Sequence, residues 1–193
     1  MNMMLKISLN KNYLYLFLIT LMTIGCYSRE EKEIRGLIGK KIDLEGPLIF
    51  FDSAHQYNCK PNEPLIRIIT TLDDNECYTC SFKQLINLQV LIQKESNLYP
   101  NVNIWAIANN IDIGKAQEEL LRWDLKSVII SDSTNYFVKK NKLDKILYRN
   151  RFFIIDCNDH IVFVGNPLIR NQLKPLFIKI INDLQTNGGV IKN

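Results

Sequence analysis

The chain is poor in the residues that most catalytic chemistries need. It has two histidines and two tryptophans in 193 residues, and no convergent Ser-His-Asp pattern, so hydrolysis by a catalytic triad has no support. No glycine-rich phosphate loop is present, although there are eight glycines. No internal repeat and no low-complexity tract is found. Charge of one sign is also scarce. Twenty-four Lys and Arg against twenty Asp and Glu leave a formal +4, scattered without a basic stripe among aromatics, which argues against nucleic acid as a partner. A long apolar run is missing too. Tyr13 to Gly25 is uncharged over only 13 residues, where a spanning helix needs about 20.

That short run is informative for what surrounds it. Lys6 and Lys11 precede it, with no acidic residue, and small Gly25 closes it. A basic start, a short apolar centre and a small residue at the end form a secretory signal, predicted over residues 1–25. Thr23-Ile24-Gly25-Cys26 resembles the lipobox of bacterial lipoproteins, in which the cysteine carries the lipid, although Thr23 stands where Leu is usual. The other reading is an ordinary signal followed by a free cysteine. Residues 26–35 then form a charged tether (Tyr27-Ser28-Arg29-Glu30-Glu31-Lys32-Glu33). With Tyr27 rather than Asp after Cys26, the pattern fits the outer membrane of a double-membraned bacterium, its periplasmic face rather than the cell surface. Without the two signal lysines the charge falls from +4 to +2.

The remainder is one domain's worth of chain, expected over residues 36–185 with a flexible tail over 186–193. Short strands are expected at Lys41–Leu44 and Leu48–Phe51. The polar stretch from Asp52 to Pro64 reads as a loop or hairpin. Leu65–Leu72 is β-branched and apolar, a central strand. Phe82, Leu85, Leu88, Leu91 and Ile92 recur at helical spacing over Cys80–Ser96. A strand follows at Val102–Ala108. A helix capped by Asp112 should run to Trp123, with Leu120 and Leu121 facing inward and Glu118-Glu119 on a solvated face. Both tryptophans and the Phe152-Phe153 pair are expected to pack. Val128–Ile130 is a strand, Thr134–Leu147 a broken helix, Phe152–Asp156 and His160–Val164 a hairpin, and Asn171–Leu184 a last amphipathic helix. Strand-helix alternation needs a parallel core sheet with right-handed crossovers, and the late hairpin adds an antiparallel edge.

One motif carries chemistry within this pattern. Cys77-Tyr78-Thr79-Cys80 stands where the central strand gives way to the first long helix. A thiolate at a helix N-terminus is stabilised by about 0.3–1 kcal/mol where exposed, and a second thiol one turn on can resolve a mixed disulfide. Asp73, Asp74 and Glu76 crowd the approach and work against the thiolate. A less stabilised thiolate means a less stabilised dithiol, so the pair should lean towards giving electrons. Static disulfide and metal binding are the other readings of the two cysteines. The metal reading would recruit Cys157 and His160. Cys59 is free or paired with another cysteine, and His55 reads as a loop residue.

On these residues, together with Phe153-Ile154-Ile155-Asp156 and Val162-Phe163-Val164-Gly165-Asn166-Pro167, the chain resembles the thioredoxin-like superfamily. It looks closest to anchored extracytoplasmic members of the TlpA and redoxin type. The resemblance implies an α/β, thioredoxin-like three-layer fold with a central mixed sheet flanked by helices. It implies thiol-disulfide exchange by Cys77 as nucleophile and Cys80 as resolving thiol, with no cofactor and no metal. Partners would be protein or small-molecule thiols and disulfides, with a membrane electron donor and a lipid anchor at Cys26. Two departures stand out. The family usually has Trp before the first cysteine and Pro before the second, where this chain has Glu76 and Thr79. It also carries a cis-proline before the Phe-x-Ile-Asp strand, where this chain has Asn150 and Arg151. A thiol peroxidase on the same scaffold would carry Pro-x-x-x-Thr/Ser-x-x-Cys, and nothing before Cys77 matches. A non-catalytic binding lipoprotein, keeping the fold and a structural disulfide, is the remaining reading.

Overall fold

The computed structural model describes residues 31–52, 56–57, 66–72, 78–95, 102–108, 111–143 and 152–191. The chain divides into two units, residues 1–36 and 37–193. Within the first, residues 31–35 are helical, and Arg35 pairs with Glu31 one turn back at 2.5 Å.

The second unit is built on a seven-stranded sheet. Its strands are β1 (Ile49–Phe51), β2 (Gln56–Tyr57), β3 (Ile66–Leu72), β4 (Val102–Ala108), β5 (Ser127–Ser131), β6 (Phe153–Ile155) and β7 (Ile161–Val164), in the spatial order β2-β1-β5-β4-β3-β6-β7. Strands β3, β4 and β5 run parallel, while β1 and β6 pair antiparallel with them. The helices are α1 (Tyr78–Glu95), α2 (Ile113–Arg122), α3 (Tyr136–Lys140) and α4 (Lys174–Thr186), the last preceded by a 3-10 turn at Asn171–Leu173.

Alternation along the strands sends successive side chains to opposite faces. Ile66, Ile68, Ile104, Ala106, Ile129 and Ile154 line one face and pack with Phe82, Leu85 and Leu88 of α1, Ala116 and Leu120 of α2, and Phe177 and Ile181 of α4. Each large apolar side chain among them, fully buried, contributes roughly 1.5–3 kcal/mol. The other face carries Arg67, Ile69, Trp105, Ile107, Ile130 and Phe153, all buried. Phe50 meets the Trp105 ring edge-on at 5.6 Å there. Leu37, Ile42, Leu44, Phe137 and Leu143 are buried outside the first cluster and form the third layer with α3. Asn141, itself buried, ties that layer together. Its amide donates to the Asp43 carbonyl at 2.9 Å, and its side-chain oxygen accepts the Asp43 N–H at 2.8 Å.

Several expectations change in detail. Lys41–Leu44 is no strand; it makes a single bridge, Lys41 to His160, because the chain there crosses the third layer rather than extending the sheet. Leu121 is 63% exposed and Trp123 48% exposed, so only Leu120 of that stretch turns inward. Helix α2 ends at Arg122, and the Trp123 indole N–H donates to Glu119 at 2.9 Å instead of packing. Glu119 also accepts from Arg122 at 2.6 Å, so it is partly covered rather than a plain solvated face. The stretch expected as a loose tail is held down as far as Ile191. The Gly189 carbonyl accepts the Cys157 N–H at 3.0 Å, and Ile191 packs against the first core.

Candidate active site

The parallel strands define two poles. Their carboxyl ends, Leu72, Ala108 and Ser131, lie at one, and in open α/β sheets chemistry gathers outside those ends. Five residues separate Leu72 from the start of α1 at Tyr78, so Cys80 lies in the first turn of that helix. Cys77 immediately precedes α1 in sequence. It lies outside the described residues, as do Asp73, Asp74 and Glu76 and the other expected cysteines, Cys26 and Cys59. So do His55, Asn150 and Arg151.

Why the chain turns helical here is visible in α1 itself. Its 18 residues contain no proline or glycine. The apolar positions Phe82, Leu85, Leu88, Leu91 and Ile92 fall on one stripe and are all buried. No acidic residue stands in the first turn, and Lys94 stands in the last, a favourable place against the helix dipole. Gln89 pins the helix midway. Its amide N–H donates to the Asp124 carbonyl at 3.1 Å, and its side-chain oxygen accepts the Lys126 N–H at 3.0 Å. From Phe82 onward the helix is therefore held on the sheet by packing.

The hairpin contributes to the same pole. β6 is antiparallel to β3, with Phe153 opposite Ile69, and the Gly165 N–H donates to the Phe152 carbonyl at 3.0 Å. Gly165 lies close under Leu173, since a Cβ there would come within 2.7 Å of the Leu173 side chain and push it aside. Asn166 shapes the turn that follows. Its side-chain oxygen accepts the N–H groups of Leu168 and Ile169 at 3.0 and 3.2 Å.

Cys157 and His160 lie at the other pole. Ile155 sits opposite Arg67, at the start of β3, and the turn Asp156–His160 extends beyond it. From Arg67 to Leu72 the strand alone covers roughly 17 Å. The metal reading that joins these two residues to Cys80 is therefore not supported by the topology. His160 Nδ1 instead lies 3.6 Å from Asp156, and Cys157 is a free thiol, half-buried. Among the described residues no three His, Cys, Asp or Glu side chains converge on a metal-sized site. The polar cluster that does form at this pole centres on Arg67, which sequence reasoning passed over. Only its place in an otherwise apolar strand could have marked it.

No protein-family model matches the chain, and no curated protein matches it. Solved structures do. PrxQ of Xylella fastidiosa, as a cysteine-to-serine mutant, superposes with a TM-score of 0.54 at 12% identity, over 77% of this chain and 96% of that one. ScoI of Arabidopsis thaliana, solved with copper bound, gives 0.51 at 15% identity, over 76% and 99%. A candidate thiol-disulfide oxidoreductase from Bacteroides vulgatus gives 0.50 at 12% identity, over 75% and 96%. At these identities the likeness is one of fold alone, and the fold is the thioredoxin-like α/β fold.

Proposed function

We propose that the protein is a membrane-anchored, extracytoplasmic thiol-disulfide oxidoreductase that works through Cys77 and Cys80. The observation that carries this reading is the start of α1 at Tyr78, beyond the carboxyl end of the central strand β3. A C-x-x-C pair that straddles such a helix start has its first thiol at the positive end of the dipole and its second one turn in. The Bacteroides vulgatus neighbour, described as a candidate thiol-disulfide oxidoreductase, supports redox work on this scaffold.

In the reductive direction the Cys77 thiolate attacks one sulfur of a substrate disulfide. That S–S bond breaks, a mixed disulfide forms, and the leaving thiolate takes up a proton. The Cys80 thiolate then attacks the Cys77 sulfur and releases the second substrate thiol. The substrate gains two electrons and the protein is left with the Cys77–Cys80 disulfide. Asp73, Asp74 and Glu76 oppose thiolate formation at Cys77, which favours a reductant-leaning pair. Anchoring rests on the basic, apolar and small-residue order of residues 1–25 and on the lipobox-like Cys26. Among the described residues no helix is long and apolar enough to cross a membrane.

The test is a pair of variants assayed on a model protein disulfide. Cys77→Ser should abolish reduction, and Cys80→Ser should accumulate a covalent mixed disulfide on Cys77. Undiminished turnover by Cys77→Ser would remove the nucleophile from the account.

A further inference from the structure

The third layer carries most of the excess positive charge. Residues 37–45 and 135–143 run side by side, joined by Asn141 and Asp43. They bring together Lys40, Lys41, Lys139, Lys140 and Lys142, against Asp43 and Glu45. All five lysines are exposed or half-exposed. Among the described residues only Lys140 of the five meets a carboxylate, that of Asp43 at 3.4 Å. The Lys40 ammonium donates instead to the Asn141 carbonyl, and Lys139 to that of Thr134 at 3.2 Å. Nearby carboxylates are already engaged. Asp159 pairs with Arg67 at 2.7 Å, and Asp132 accepts the Tyr136 and Phe137 N–H groups at 2.7 Å each. The Lys40 ammonium is held below its ordinary pKa, first by burial and then by the charge of Lys142.

The placement of this patch bears on what it meets. The chain enters the second unit at Leu37, three residues before Lys40. Gly39 and Ile42 hydrogen-bond to Ile161 and Asp159, at the pole opposite the start of α1. Lys139, Lys140 and Lys142 follow from α3, whose start is capped by Asp132 just past Ser131, so this part of the patch rises towards the carboxyl pole. What separates the whole patch from α1 is the sheet face.

We propose that the lysines of residues 40–41 and 139–142 lie against an anionic phospholipid surface, so that the anchored domain turns the sheet face that carries α1 away from the membrane. The proposal rests on the lipid anchor at Cys26. A single lipid at Cys26, joined to Leu37 through the short segment of residues 26–36, leaves orientation free unless a second contact fixes it. One lipid anchor with a basic patch is the combination that gives firm attachment to anionic membranes, and its attraction fades within a Debye length. The consequence is functional. The dithiol would serve thiols and disulfides in the aqueous compartment rather than a donor buried in the bilayer.

The test is amine acylation, read by mass spectrometry, of the lipidated full chain held in nanodiscs of phosphatidylcholine alone or with phosphatidylglycerol. Lys40, Lys139, Lys140 and Lys142 should react roughly fivefold more slowly on the anionic discs, and salt should restore their rate. Lys83, near the start of α1, should react equally on both. A variant carrying K40Q, K139Q, K140Q and K142Q should stay on the discs and lose the remaining protection at Lys41. Equal labelling of the patch on both discs, with the chain still bound, overturns the proposal and leaves the anchor standing. A chain that does not stay on either disc overturns the anchor and the proposal with it.

Discussion

Arg67 Nη1 lies 2.7 Å from Asp159 Oδ1, with the arginine side chain fully buried and the aspartate 20% exposed. The guanidinium also stands over the Trp105 ring at 5.4 Å, and Nη2 donates to the Asp156 carbonyl at 2.8 Å. A charge placed in the central strand is thus held by a carboxylate, a carbonyl and an aromatic face. Asp159 adopts a left-handed backbone (φ 68°) in making this contact. Removing one partner of a buried pair costs about 3–5 kcal/mol, somewhat less where the survivor reaches water, as Asp159 does. Arg67→Met should therefore lower the unfolding free energy by about 3 kcal/mol in urea titration. Disulfide exchange by the folded fraction should be unchanged, because the pair sits at the pole away from Cys80.

Asn141 offers a second test of the layer that faces away from α1. Its amide and carbonyl satisfy both backbone groups of Asp43, and its amide also donates to Phe137 at 3.0 Å. Asn141→Ala leaves these buried groups without their partner, at about 1–3 kcal/mol. The loss should appear in thermal unfolding, with faster hydrogen exchange at the Asp43 amide. Asn141→Asp should recover less than half of it, since a carboxylate cannot donate to the two carbonyls.

The start of α2 should sense acid. Asp112 caps the helix, and its carboxyl is held below its ordinary pKa, first by the Lys115 N–H that it accepts. A carboxyl with a depressed folded pKa stabilises the fold above its unfolded pKa, and that contribution fades as pH falls through the folded value. Asp112→Asn keeps a capping oxygen and removes the titration. Stability measured from about pH 6 down to about pH 2 should therefore decline less steeply in Asp112→Asn than in the parent chain.

The long apolar runs were the legible part of the fold. Val102–Ala108 spans its strand fully, and Asp112 caps its helix, because alternation, helical spacing and a capping side chain are local signals. The hairpin of β6 and β7 was legible for the same reason. Lys41–Leu44 misled because apolar residues that cross a sheet face look like residues that join its edge. Leu121 and Trp123 misled because a helix end exposes what its middle would bury. Arg67 could not be placed from its own strand, since its partner Asp159 lies far along the chain, in a turn. Of the C-x-x-C pair, Cys80 falls in the first turn of α1, where a strand was expected to give way to a helix, while Cys77 lies outside the described residues.

The account turns on whether Cys77 and Cys80 exchange electrons. A redox titration of the full chain in glutathione and dithiothreitol buffers, with alkylation of each cysteine read by mass spectrometry, measures this directly. The account predicts that the two cysteines interconvert together between about −120 and −270 mV, towards the reducing end of that range. A pair that stays oxidised below about −300 mV is a structural disulfide, and would contradict it.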